Sequence, residues 1–207
     1  MEQIIATEIM LKYLNALDSI YGMYIDACRG FRLFADKLRE TTTLSPKDDP
    51  RIFMGTFDDP NASDATYKHS ALLSEIVSRN AMGSNNEMLL SRACLIFVYS
   101  MWDTSVRPDY ARALNKPAED IRSNIIGDLR LYRNDIAHNN AVLQRPTTEL
   151  LFFKVGETID LTQIQMDEIF VRLFDSLTSL NEAMTGLDLK RNFERSLNAR
   201  KPGGRYA

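Results

Sequence analysis

The sequence predicts a mainly α protein, a helical bundle with one small β-hairpin. Three observations point there. Apolar residues recur at helical spacing from Gln3 to about Glu40 with no proline among them. The run Met88 to Trp102 is apolar nearly all round, as in the central helix of a bundle. Glu149–Val155 and Glu157–Leu161 have β character on either side of Gly156, which suggests the hairpin.

In the first helix Ile5, Ile9, Leu14, Leu17, Tyr21, Tyr24, Cys28, Phe31, Phe34 and Leu38 carry the apolar pattern, with Gly22 and Gly30 as its weak points. Residues 41–68 follow as a loop insertion, marked by Pro46, Pro50, Pro60 and the pairs Asp48-Asp49 and Asp58-Asp59, with Arg51–Met54 able to form a short strand. Ser70–Ala81 reads as a short helix turning Leu72, Leu73, Ile76 and Val77 inward, ended by Gly83 and Asn85-Asn86. Another helix starts at Glu87 and is expected to stop before Pro108, because the residue before a proline disfavours the helical region. Tyr110–Leu114 reads as a broken helical continuation.

Pro117, Glu119 and Asp120 suit the first turn of the next helix, where proline is tolerated and acidic groups offset the dipole. Asn139-Asn140 should close it, since asparagine accepts the left-handed conformation. Thr162 can cap a last helix whose buried face is Ile164, Ile169, Phe170, Leu173, Phe174, Leu177 and Leu180, with Gly186 ending or bending it. The expected organisation is a single domain over residues 1–197 and a flexible basic tail over 198–207, where Pro202-Gly203-Gly204 should fray.

The 207 residues are 44% hydrophobic and 26% charged, an ordinary globular composition. A net charge of −3 argues against a broadly basic, non-specific nucleic-acid binder but leaves room for a local positive site. Cys28 and Cys94 lie in apolar helical patterns and read as free thiols in a reducing, cytoplasmic setting. The chain opens without a basic n-region, and Met88–Trp102 is interrupted by Arg92 and is too short to span a bilayer, so no membrane role is expected. Two histidines and two cysteines show no ligand spacing, and no glycine-rich phosphate loop, Ser-His-Asp set or dinucleotide fingerprint is present, so neither metal nor cofactor is expected.

Residues 129–140, Leu-Arg-Leu-Tyr-Arg-Asn-Asp-Ile-Ala-His-Asn-Asn, are the informative stretch. On a helix of about 100° per residue Ile125, Leu129, Tyr132 and Ile136 fall within roughly 60° of one another, an inward stripe. His138 lies about 160° from Ile136, sharing its side with Gly127, Leu131 and Asn134. An outward face holding an imidazole, an amide, a bare backbone position and a leucine fits a partner better than bulk solvent.

Arg133, Asn134 and His138, near the end of a helix in a mainly helical chain, resemble the Arg-x4–6-His signature of HEPN domains (higher eukaryotes and prokaryotes nucleotide-binding). The order of elements resembles that family from about residue 3 to residue 197, while the specific match is these three residues. The resemblance implies a metal-independent endoribonuclease acting as a homodimer, cleaving RNA through the 2′-hydroxyl to a 2′,3′-cyclic phosphate. It also implies a toxin–antitoxin or antiphage-defence setting with a cognate antitoxin or defence partner protein. In that role His138 is the acid/base, since both forms of an imidazole are accessible near neutrality. Arg133 clamps the phosphate, and Asn134 orients the ring or donates to the phosphate. Arg130, one turn earlier, extends the substrate-binding strip, and Gly127 and Leu131 belong to the dimer face. HEPN toxins silenced by nucleotide transfer carry a tyrosine two residues after the histidine; Asn140 stands there, so that control is not implied.

Other readings stay open at this level. His138 can simply cap the helix, with Arg133 paired to Asp128 or Glu149, and Arg130 can be solvated. Glu87 and Asp103 can reach the site or serve as surface or capping residues. Tyr99, Trp102 and Tyr132 can stack on bases or fill the core. His69 has no assigned role. The basic tail can raise RNA affinity or remain solvated. The alternative function is a non-catalytic HEPN-like module that binds RNA or a protein, which the acidic balance favours.

Overall fold

A helix of 40 residues, α1 (Glu2–Thr41), opens the chain, passing through Gly22 and Gly30 without interruption. The computed structural model describes residues 1–41, 49–55 and 67–189. These are mainly helical with one two-stranded antiparallel sheet, the expected class. They group into two compact units: Met1–Met23 with the chain from Ser91, and Tyr24–Leu90. The basic tail and most of the expected insertion lie outside the described residues. No helix among those described is long and apolar enough to cross a membrane.

The unit of Tyr24–Leu90 holds the sheet, β1 (Arg51–Gly55) against β2 (Tyr67–Leu72), with an irregularity between Met54 and Gly55. The strand expected at Arg51–Met54 is therefore present, while its partner comes from residues read as the start of a helix. α2 (Leu73–Arg79) begins only after the strand, where Glu75 accepts from the Leu72 N–H at 3.0 Å and Asp49 accepts from the Ser74 N–H at 2.9 Å. The Asp49 carboxyl is held below its ordinary range by those Ser74 hydrogen bonds. α3 (Asn85–Met101) starts in this unit. Its Glu87 is buried, paired with Arg32 at 2.8 Å and accepting from the Gly83 N–H at 2.8 Å. Burial pushes the Cys28 thiol up.

In the unit that begins at Met1 and resumes at Ser91, α3 passes without a break into a π turn (Trp102–Val106) and then α4 (Arg107–Ala113). The chain stays helical through Pro108, contrary to the expected stop. Proline lacks an N–H and crowds the carbonyl four residues back. The widened turn, in which the Arg107 N–H reaches the Trp102 carbonyl, relieves that conflict. Tyr110 on α4 then donates to Asn181 at 3.2 Å in the core.

The helix expected from Pro117 starts later. Ala118–Asp120 form one 3₁₀ turn, Ile121 runs extended into the core, and Ser123 caps α5 (Asn124–His138). The other end is placed as expected: His138 is the last helical residue and Asn140 takes φ 51°. Ala141 also has positive φ, held by hydrogen bonds from its N–H to the Asp135 carbonyl at 2.9 Å and from Ile159 N–H to its carbonyl at 2.7 Å.

The hairpin expected at 149–161 is absent: that segment is turns and irregular chain, with one isolated bridge between Val142 and Thr158. The backbone groups a ladder needs are taken by side chains. Asp128, 2% exposed, accepts from the N–H groups of Thr148, Glu149 and Leu150 at 2.6–3.1 Å. The Leu150 carbonyl accepts from Tyr132 at 2.5 Å and Thr147 at 2.7 Å, and the Glu149 carbonyl from Arg172 at 2.8 Å.

α6 (Gln163–Thr185) is capped by Thr162 with Gln165 and ended by Gly186 at φ 74°. Ile169, Phe170, Leu173 and Leu177 are buried as expected, whereas Ile164 is 78% exposed because it sits in the first turn, ahead of the packed stripe. Tyr21 of α1 stacks 4.9 Å from Phe170 and donates to Asp167, and Tyr13 lies 5.7 Å from Trp102 while donating to the Val98 carbonyl at 3.0 Å.

Asp128→Ala should lower unfolding free energy by about 3 kcal/mol in urea titration, because three buried N–H groups lose a charged acceptor; a loss below about 1 kcal/mol contradicts that role. Burial also pushes the Tyr132 and Tyr110 phenols up to about 12. The folded state then keeps protons that the unfolded chain releases near pH 10, so this stabilisation is complete below about pH 10 and is lost toward about pH 12. Urea unfolding across that window should lose stability at up to about 1.4 kcal/mol per pH unit for each tyrosine, and Tyr132→Phe should remove one such share.

Candidate functional site

The outer side of α5 is built by phase alone. Ile125, Leu129 and Tyr132 are fully buried and Ile136 partly so, which turns Gly127, Arg130 and His138 outward and leaves Leu131 and Asn134 half-exposed. The sequence-derived residues therefore do share one side of one helix.

Arg133 sits at the edge of this side. Its guanidinium lies 5.8 Å from the centre of the Tyr99 ring and donates to Asn134 Oδ1 at 2.9 Å. A cation over an aromatic face gains roughly 0.5–1 kcal/mol or more. Tyr99 is in turn held by a hydrogen bond to Asp103, which pairs with Arg107 at 2.8 Å. Burial, followed by the Asp103 charge, raises the Tyr99 phenol. Tyr99 is thus a platform beneath Arg133, a role with no motif to announce it.

Several open readings close here. Arg133 makes no ion pair among the described residues; Asp128 is committed to the 148–150 backbone, and Glu149 engages that loop and Arg172 through its own backbone. Asn134 gives its carbonyl to Arg133, not to the imidazole, which leaves its NH₂ outward. His138 is exposed and has no hydrogen-bond partner among the described residues, so it does not cap a carbonyl. Glu87 is taken by Arg32, whereas Asp103 supports the site through Tyr99. Trp102 and Tyr132 are at most 1% exposed and Tyr99 is 6%, so these rings are core and not stacking surfaces. His69 contacts Arg79 at 3.0 Å.

Two grooves of about 380 Å³ each flank this side of α5 and share Asn124, Gly127 and Arg130. One runs past Leu131 and Asn134 to Arg145 and Thr148. The other runs toward Trp102, Arg107 and Arg122. Arg145 and Arg122 lie outside the helix and carry no periodic signal, so their proximity was invisible in the sequence. Among the described residues no cluster of three or more His, Cys, Asp or Glu could hold a metal ion.

Compared with protein-family models, with curated proteins and with solved structures, the chain matches none.

Gly127 has helical neighbours but nothing within 4 Å of where a Cβ would stand. Alanine would fit there and favour the helix by about 1 kcal/mol, so packing within the chain does not require glycine. Gly127→Ala is expected to raise the unfolding free energy of the monomer by about 0.5–1 kcal/mol. If Gly127 serves close approach by a second copy, the same change weakens self-association in sedimentation; unchanged association removes it from any dimer face.

Proposed function

We propose that this chain is an HEPN-type endoribonuclease that pairs with a second copy through the outer side of α5 and cuts RNA without a metal. The observation that supports it is the convergence on that side of Gly127, Arg130, Leu131, Asn134 and an unengaged His138, beside an Arg133 held on Tyr99. One imidazole cannot serve as base and acid at once, so two copies are needed. His138 of one protomer takes the 2′-hydroxyl proton as that oxygen attacks phosphorus. The P–O5′ bond breaks, the partner's His138 gives its proton to the departing 5′-oxygen, and a 2′,3′-cyclic phosphate remains. Arg133, fixed in charge, stabilises the phosphorane oxygens. Gly127 and Leu131 would let the two helices approach. A toxin or antiphage effector, held by a cognate antitoxin or defence partner in the cytoplasm, is the setting this reading favours.

The test is incubation of purified protein with RNA in EDTA. Cleavage should yield cyclic-phosphate and 5′-hydroxyl ends, falling about 10²–10⁴-fold in His138→Ala and about 10²–10³-fold in Arg133→Ala. Cleavage that survives in both variants sinks the chemistry. The second reading, a non-catalytic HEPN-like module for RNA or protein, draws support from the net charge of −3 and from the mutual engagement of Arg133 and Asn134. It gives the same dimer and no cleavage at any pH.

A further inference from the structure

The groove between the π turn and the start of α5 has a composition of its own. Its floor is apolar: Trp102, Ile121 and Ile126 line it while remaining at most 6% exposed. Its rim is cationic, and the cations come from three separate segments, Arg107 of α4, Arg122 of the connection before α5 and Arg130 of α5 itself. Two carboxylates oppose them. Asp103 is paired with Arg107 at 2.8 Å, and Glu119 is exposed at the rim. Arg122 donates its Nε to the Glu119 carbonyl, which leaves the two Nη groups of its fork without a hydrogen bond to the described residues.

Two features favour an anion there. The Nε of Arg107 is buried and has no partner among the described residues; such a donor normally finds an acceptor. The groove also meets the first turn of the 15-residue α5 at Ser123, Asn124 and Ile126, where unpaired N–H groups and the positive end of the helix dipole favour negative charge. Gly127 keeps backbone bare beside it. An apolar floor under a guanidinium rim, in about 380 Å³, suits a flat heteroaromatic ring bearing a phosphate.

We infer that this groove is a nucleotide subsite: it takes one base of single-stranded RNA on the Ile121 and Ile126 floor and the adjoining phosphate on Arg122 and Arg130. The inference deepens the ribonuclease reading and rests on it for the choice of RNA. Arg130 precedes His138 by eight residues, about 12 Å along the helix, so the nucleotide held here lies away from the one that is cut. The groove then sets where along the strand the scissile phosphate falls.

The experiment uses the full chain carrying His138→Ala, so that bound RNA is not consumed, and a short labelled single-stranded oligoribonucleotide followed by fluorescence anisotropy. Adding Arg122→Ala and Arg130→Ala together should weaken binding tenfold or more and reduce the salt slope of log K by roughly 1.4 for two lost phosphate contacts. Arg112→Ala, on the exposed side of α4 with Asp109, should change little. A 5′-mononucleotide should displace the RNA at concentrations where inorganic phosphate and duplex RNA do not. Unchanged affinity and slope in the double variant overturn the subsite, as does displacement by phosphate or duplex equal to that by the nucleotide. Should the parent protein not cut RNA while groove-dependent binding persists, the ribonuclease chemistry falls and the subsite stands. Cutting by the parent with groove-independent binding does the reverse.

Discussion

Two buried carboxylates on α5 determine what the rest of the helix can do. Asp128 and Asp135, 2% and 5% exposed, stand seven residues apart and so face the same way. Asp128 gathers the backbone of 148–150. Asp135 accepts from Asn139 Nδ2 at 2.7 Å and the Gln144 N–H at 2.9 Å, while its own carbonyl takes the N–H groups of Asn139 and Ala141. A buried carboxylate is tolerable only with this density of donors. The chain after α5 is therefore laced to one edge of the helix by side chain to backbone hydrogen bonds and not by a strand ladder.

This arrangement divides α5 into two sides with different duties. Polar capacity on the inner edge is consumed by the protein, as Tyr132 shows with its bond to the Leu150 carbonyl. On the outer side the polar groups are left for something else. His138 projects from the final turn, whose end is fixed by Asp135 and the reversal at Asn140 and Ala141, so the imidazole rides on an anchored stub although it touches nothing itself. Arg133 gains its orientation from a different helix through Tyr99 and Asp103.

Helical phase was legible in the sequence because it depends on spacing alone. Leu129 and Tyr132 inward, Gly127 and His138 outward, and the left-handed closure at Asn140 follow from local rules. What escaped was chemistry between segments distant in the chain. A β-like alternation around Gly156 gave no warning that Asp128, some twenty residues earlier, would claim the donors of 148–150. The strand Tyr67–Leu72 was missed because Leu72, Leu73, Ile76 and Val77 satisfy helical spacing, and nothing local marks where strand gives way to helix. Arg122, Arg145 and the Tyr99 platform join the candidate site only through tertiary packing.

The π turn at Trp102–Val106 acts as a one-residue phase shifter between two otherwise continuous helices. Each residue in a helix advances the side-chain direction by about 100°, so excising one residue from this turn to restore regular winding would swing everything after it by that angle. Tyr110 would leave Asn181, the 0%-exposed partner it reaches in the core, and the Asp103 to Arg107 spacing would shorten from four residues to three. The irregularity is thus what lets one uninterrupted rod present its two ends to two differently oriented surroundings, and chain length in this turn should tolerate less variation than its side chains do.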